Sequence, residues 1–161
     1  MKDFAQRAAE VVSEDPFLER VRSLGRGLAL AQLLLKLTSP GMPDNYRGDE
    51  LEDLSLVDPD NRRPVDWAVR RRALETLEQG GAVTADNAKL YVMWKTLNLR
   101  QEHHDAFEGG YDPVDAGEGV CAFVRGGSVF CATAVRPGAK IAVPDGFRDV
   151  LGVEGLAHGV R

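Results

Sequence analysis

The sequence predicts an α+β chain: a mostly helical N-terminal segment followed by a partial antiparallel β region. Three observations predict it. Apolar residues recur at helical spacing through the first two thirds of the chain. Runs rich in β-branched and aromatic residues appear only after Gly110. The one strong hairpin signal, Gly126-Gly127 between two such runs, also lies in that second part.

The elements follow in order. Phe4, Ala8, Val11 and Val12 place a short amphipathic helix over residues 3–13. Asp15-Pro16 opens a second helix, with proline at an early position where its missing N–H costs nothing. Phe17, Val21, Leu24, Leu28 and Leu35 form its stripe, and beyond Leu28 it becomes apolar on every side, which predicts burial on every side. Ser39-Pro40-Gly41 ends it. Residues 40–64 are rich in Pro, Gly, Asp, Asn and Arg and predict a long irregular segment with one short strand around Asn45-Tyr46.

Pro64 opens a third helix with Val65, Ala68, Val69, Ala73 and Leu77 on its inner face, and Gly80-Gly81 stops it. Asp86 is the candidate N-cap of a fourth helix, 87–107, with Leu90, Met93, Trp94 and Leu97 as its buried stripe. In GVCAFVRGGSVFCATAV, pairing about Gly126-Gly127 sets Phe123 opposite Phe130, Cys121 opposite Ala132 and Cys131 opposite Ala122. Both faces of that hairpin are then apolar, as in a sandwich. A third strand is expected at Lys140 to Val143, and the remaining residues supply too few strands to close a sheet.

Composition narrows the function. The 161 residues carry 20 Lys and Arg against 25 Asp and Glu, a net charge of −5, with 43% hydrophobic and 28% charged residues. That is the composition of a globular chain of one domain, or one and a fraction, with no electrostatic reason to seek nucleic acid or an anionic membrane. The longest apolar run, Leu28 to Leu37, is about half of what a bilayer needs. The first residues hold no apolar signal core, so a cytoplasmic setting is expected. Two cysteines do not make a disulfide scaffold, and the hairpin pairing sends them to opposite faces as free thiols.

Most chemistry-bearing residues have ordinary structural readings. His103 and His104 are adjacent on a helix and point about 100° apart, so they read as surface residues, not a metal pair. Arg70, Arg71 and Arg72 read as a solvated helix edge paired with Glu75 or Glu78. No cofactor motif, phosphate loop or metal-ligand spacing is present, so neither cofactor nor metal is expected. The irregular segment differs. Asp44, Asp49, Glu50, Asp53, Asp58, Asp60, Arg62 and Arg63 crowd around Tyr46 and Arg47. Carboxylates, guanidinium groups and an aromatic on a loop are the groups that bind sugar hydroxyls, and paired carboxylates run glycoside chemistry. The same groups also make a solvated loop held by Asx-turns and local Asp–Arg pairs, which chemistry alone favours.

The stretch LLLKLTSPGMPDNYRGDELEDLSLVDPDNRRPVDW resembles the late part of the maltooligosyltrehalose synthase family of α-amylase-like glycoside hydrolases, whose members usually read LLKLTSPGxPDxYQGxELWDxSLVDPDNRRPVD there. KLYVMWKTLNLRQEHHDAFEGGYDPV, CAFVRGG and VPDGFRDVLG resemble later parts of the same family. The resemblance implies that residues 1–109 are the end of a (β/α)8 barrel and residues 110–161 part of a C-terminal β-sandwich domain. It implies a reaction in which the reducing-end α-1,4 bond of a maltooligosaccharide becomes an α,α-1,1 bond.

That reaction uses an Asp nucleophile, a Glu acid/base and a second Asp, which by the resemblance lie on earlier barrel strands, before Met1. No acid of this chain matches them, so no catalytic residue is expected here and the isolated chain is expected to be inactive. Asp44, Tyr46, Arg47, Asp49, Glu50, Asp58, Asp60, Arg62 and Arg63 are the candidate substrate contacts. Arg47 stands where the family usually has Gln, and Glu52 where it has Trp. The expected partners are maltooligosaccharide through the longer enzyme, and the missing barrel portion or a second copy against the apolar run at 28–37. A stand-alone carbohydrate-binding or interaction module and a degenerate remnant are the competing readings.

Overall fold

The computed structural model of the chain describes residues 15–53, 55 and 62–161. The helix expected at 3–13 lies outside them. Four helices precede and flank a five-stranded sheet: α1 (Pro16–Thr38), α2 (Trp67–Glu78), α3 (Ala88–Glu102), α4 (His104–Glu108), β1 (Tyr111–Pro113), β2 (Val120–Arg125), β3 (Val129–Ala134), β4 (Arg148–Asp149) and β5 (Leu156–Val160). The sheet is antiparallel and open, in the order β1-β2-β3-β5-β4. The expected α+β class is the observed one.

Local chemistry sets the helix starts. Asp15 caps α1, its carboxylate accepting from the Phe17 N–H at 2.8 Å, and Asp66 caps α2 through the Val69 N–H at 3.0 Å. Asn87, not Asp86, precedes α3, and its side chain closes the loop before the helix, accepting from the Thr84 N–H. The helix expected over 87–107 breaks at His103, whose backbone leaves helical geometry, and restarts as α4.

Helix α1 is two helices in terms of surroundings. Ala31, Leu33, Leu34, Leu37 and Thr38 are buried against Val92 and Met93 of α3 and Leu151 and Leu156 of the sheet region. Gln32 and Lys36 remain exposed, so the helix is not covered on every side as its apolar run suggests. Phe17, Val21, Leu24 and Leu28, expected on the inner stripe, are exposed, Phe17 at 66%. The open apolar surface therefore lies at 17–28, one end earlier than the run at 28–37.

Two other stripes also shift. On α2 only Leu77 is buried, and Ala68 and Val69 face water. On α3 the buried face is Leu90, Val92, Met93, Thr96 and Leu99; Leu97 is exposed and Trp94 half-buried. In both cases α3 lies against α1 more broadly than against α2, so the face turned to α1 is the one that is covered.

The hairpin is where expected, but one residue out of register. Phe123 pairs with Cys131 and Val124 with Phe130, because the loop holds Gly126, Gly127 and Ser128 rather than two residues. Ser128 donates to the Arg125 carbonyl at 3.1 Å, and Gly126 and Gly127 both have positive φ. A side chain at Gly126 would also meet the Cα of Ala106 at 2.5 Å, so α4 packs directly on the turn. The slip puts Cys121 and Cys131 on the same face, not on opposite faces. Both are nonetheless free thiols, because they are diagonal neighbours about 7–8 Å apart, beyond disulfide reach.

Both hairpin faces are buried, as expected. Phe123, Val129 and Cys131 face Leu99, Ala106 and Phe107 of the helices. On the other face Ala122, Phe130, Ala132 and Ala157 are covered by Val114, Ala116, Ile141 and Phe147 from irregular chain. No strand forms at 140–143. Ala142 makes one bond to the Ala116 carbonyl, and Pro137, Gly138 and Pro144 bracket the segment too tightly for a ladder. The third strand of the hairpin sheet is β5, whose partner register runs Val129 to Val160 and Thr133 to Leu156.

Arg125 joins helices to sheet. It is 2% exposed, yet faces no carboxylate. Its guanidinium donates to the carbonyls of Thr38 at 3.0 Å, Gly109 at 3.5 Å and Phe107, and its Nε to Gly110 at 3.3 Å. Arg100 donates to Leu37 at 2.8 Å and Gly41 at 3.2 Å, and the two guanidiniums flank the Phe107 ring. These carbonyls lie at the ends of α1 and α4, where the helix dipole is negative, so two arginines satisfy carbonyls that the cap N–H groups of Ser39 and Gly109 do not reach. Burial, then the neighbouring Arg125, holds the Arg100 guanidinium below its ordinary pKa.

Candidate functional site

The acidic segment folds as a turn clamped from three helices. Residues 47–50 form the turn, with the Asp49 N–H donating to the Tyr46 carbonyl at 3.1 Å, and no strand forms at Asn45-Tyr46. Gly48 has φ +85°, and a side chain there would meet Val65 Cγ2 at 2.9 Å, so the turn requires glycine.

Four cations reach the turn. Lys36 of α1 lies 3.4 Å from Asp49 Oδ2, and Lys89 of α3 contacts Asp49 Oδ1. Arg70 of α2 donates to Glu50 Oε2 at 2.9 Å and to the Gly48 carbonyl at 2.5 Å. Arg26 of α1 donates to Glu52 at 3.2 Å. Arg70 therefore serves the turn and not Glu75 or Glu78. The N-cap at Asp66 explains why: it sets α2 so that Arg70, one turn in, points back at the preceding segment. Sequence reading missed Lys36 and Lys89 as partners. The signal available was Lys36 itself, a lysine inside an otherwise apolar helical run.

The other candidates are less tied. Asp44 is exposed and Tyr46 is 54% exposed. Arg47 donates to the Arg62 carbonyl at 3.3 Å. Asp58 and Asp60 lie outside the described residues. Asp53 accepts from the Ser55 hydroxyl at 2.5 Å and its N–H at 2.8 Å, and those bonds hold its carboxyl below the usual range. A groove of about 420 Å³ opens here, lined by Arg47, Glu52, Asp53, Arg63, Asp66 and Arg70.

The chemistry that the described groups offer is hydrogen bonding and ion pairing. Asp49, Glu50 and Glu52 are neutralised by cations, Asp66 caps a helix and Asp53 is held ionised. What the groove offers is guanidinium donors and carboxylate acceptors along one lining, groups that hydrogen-bond hydroxyls. His104, expected at the surface, is there, near Glu108 at 3.6 Å, while His103 is half-buried at the helix break. No helix among the described residues is long and apolar enough to cross a membrane.

No protein-family model matches the sequence. A putative maltooligosyl trehalose synthase of Mycobacterium tuberculosis is 48% identical over 109 residues, which are 65% of this chain and 13% of that protein. The structure of maltooligosyltrehalose synthase from Arthrobacter ramosus superposes with a TM-score of 0.74 at 29% identity, covering 96% of this chain and 26% of that one. A hypothetical maltooligosyl trehalose synthase from Sulfolobus tokodaii gives 0.72 at 31% identity, covering 90% and 22%. The chain thus spans about an eighth of the curated relative it matches and about a quarter of the solved ones.

Proposed function

From the premise that this chain resembles the C-terminal part of maltooligosyltrehalose synthases, we propose that it supplies the late-barrel and β-domain portion of an enzyme that turns the reducing end of a maltooligosaccharide into a trehalose end. Residues 1–109 would close the barrel and residues 110–161 would begin the β-sandwich domain. The proposed setting is the cytoplasm, without cofactor, metal, nucleic acid or membrane. The observation that carries the reading is the 48% identity over 109 residues to a putative maltooligosyl trehalose synthase.

In this reading the turn is a substrate wall. Asp44, Tyr46, Arg47 and Arg63 would meet sugar hydroxyls. Asp49 and Glu50 would act as anchors, since their carboxylates are already engaged by Lys36, Lys89 and Arg70. The nucleophile and acid/base would come from the remaining part of the enzyme. The exposed stripe Phe17, Val21, Leu24 and Leu28 would be covered by that part, because exposed apolar surface of this kind favours burial by about 25 cal/mol per Å². A chain by itself would use the same stripe to self-associate.

The test exchanges segments. The 161-residue chain is incubated with maltopentaose alone, and in parallel replaces the matched part of the Mycobacterium tuberculosis relative. No trehalose-ended product from the chain alone, and product from the exchanged enzyme, is the expected pair. An exchanged enzyme that folds but leaves maltopentaose untouched sinks the proposal. Tight maltopentaose binding by the chain alone, lost in Tyr46→Ala, would point instead to a stand-alone sugar-binding module.

A further inference from the structure

His158 on β5 is 1% exposed, and neither ring nitrogen has a hydrogen-bond partner. It pairs across the sheet with Cys131 of β3, so its ring lies on the face turned to the helices, alongside Leu156 and Val160. Thr133, diagonal to it on the same face, has a buried hydroxyl that is also without a partner, as does Thr96 on the buried side of α3. The remaining neighbours are apolar: the buried residues of α1 are Ala31, Leu33, Leu34, Leu37 and Thr38, none ionisable, and the Thr38 hydroxyl is spent on the Leu34 carbonyl at 2.7 Å.

We propose that His158 is an acid-sensitive latch between the sheet and the helical layer, closed when the ring is neutral and opened when it takes a proton. A neutral imidazole suits a dry seam at a modest cost for its unmet hydrogen bonds. An imidazolium has two N–H donors and a full charge, and the one acceptor that favours it by hydrogen bonding is its own backbone carbonyl. The charged groups that face it do not settle it. Asp149 of β4 favours the proton, but its two oxygens already accept from the Leu151 and Gly152 N–H groups at 3.0 and 3.2 Å. Lys95 of α3 opposes it. The Cys131 thiol opposite is itself pushed up to about 12 by burial, so it stays neutral and offers no counter-charge.

Burial moves the ring in the same direction, from 6.5 to about 4. The sign follows from linkage. The unfolded chain binds the proton first as pH falls, so this site leaves stability intact above 6.5 and removes it progressively down to about 4. The folding equilibrium constant falls by about 300-fold in the limit well below the folded value, ten to the power of the difference, and by about 100-fold between pH 7 and pH 4, where the folded ring is half protonated.

Urea unfolding of the full chain at pH 7 and pH 4, for the wild type and His158→Gln, reads the effect. The wild type should lose about 100-fold more in its folding constant than the variant, whose side chain never charges. Ring-carbon NMR of the wild type during the same titration keeps the test decisive if the variant does not fold. A His158 ring that stays neutral in the folded chain below pH 5 supports the latch. A ring that titrates above pH 6 while the chain remains folded, or a variant with the same acid sensitivity as the wild type, overturns it.

Discussion

Two regions of this molecule use arginine and lysine to hold backbone in place, and they do it by opposite physics. At the helix–sheet junction, Arg125 is buried and gives its protons to four carbonyls at the ends of α1 and α4. In the acidic turn, Lys36, Arg70, Lys89 and Arg26 meet carboxylates that water also reaches. The junction spends a charge on fixed dipoles in a place that cannot rehydrate. The turn spends many charges where solvent screens each of them. The first arrangement makes a rigid frame; the second makes a surface that is ordered but still wet, which is what a polyhydroxyl ligand needs.

Arg125→Met tests the frame most severely. It takes the donors from the buried carbonyls of Thr38 and Phe107, and stability should fall by about 2–4 kcal/mol, since each unpaired buried carbonyl costs about 1–3. Urea midpoints at low and high salt should show nearly the same loss. A loss below about 1 kcal/mol would mean that Arg100 alone caps both helices.

Gly126→Ala probes the same frame through the backbone. The φ of +52° and the approach of Ala106 Cα at 2.5 Å leave no room for a methyl group. The cost should be about 2–3 kcal/mol, and disturbed α4 resonances should accompany it. Equal stability with an unshifted α4 would show that the turn does not pack where it is placed.

In the acidic turn, Lys89→Met should cost only about 1 kcal/mol, because Asp49 keeps Lys36 and is partly solvated. Raising NaCl to about 0.5 M should shrink that difference by roughly half. A salt-independent loss would place Asp49 in the same dry class as the junction and erase the contrast. Arg26→Ala should be the mildest change, within about 0.5 kcal/mol, since its Glu52 partner is well exposed. A thermal scan that moves by more than a few degrees would show that the contact carries packing as well as charge.

How far the sequence reading reached differs between the same two regions. The start of α1 was legible in Asp15-Pro16, whereas α2 begins at Trp67 behind its Asp66 cap, past the Pro64 and Val65 where the sequence placed it. The change from helix to sheet after Gly110 was legible in the change of period, and the hairpin in its paired glycines. The acidic segment was legible as a candidate site only through the resemblance, because its charges had no assigned partners until three helices surrounded it. Arg70 shows the difficulty. Its helical neighbours Glu75 and Glu78 were in range by spacing, yet the observed partner is Glu50, twenty residues away.

What the sequence determined by itself was local: where α1 begins, where the chain must turn, where helical period gives way to strand, and the match through SLVDPDNRRPVD. Tertiary structure alone decided the rest. It set the hairpin register through a third loop residue, and so brought two cysteines to one face. It chose which end of α1 is covered, leaving Phe17 open and Leu34 closed. It buried His158 and Arg125, which in sequence are an ordinary histidine near the terminus and an arginine before a turn. The physical reason is range. Capping and φ preferences act over a few residues, whereas burial and charge partnership depend on which segments the whole chain brings together.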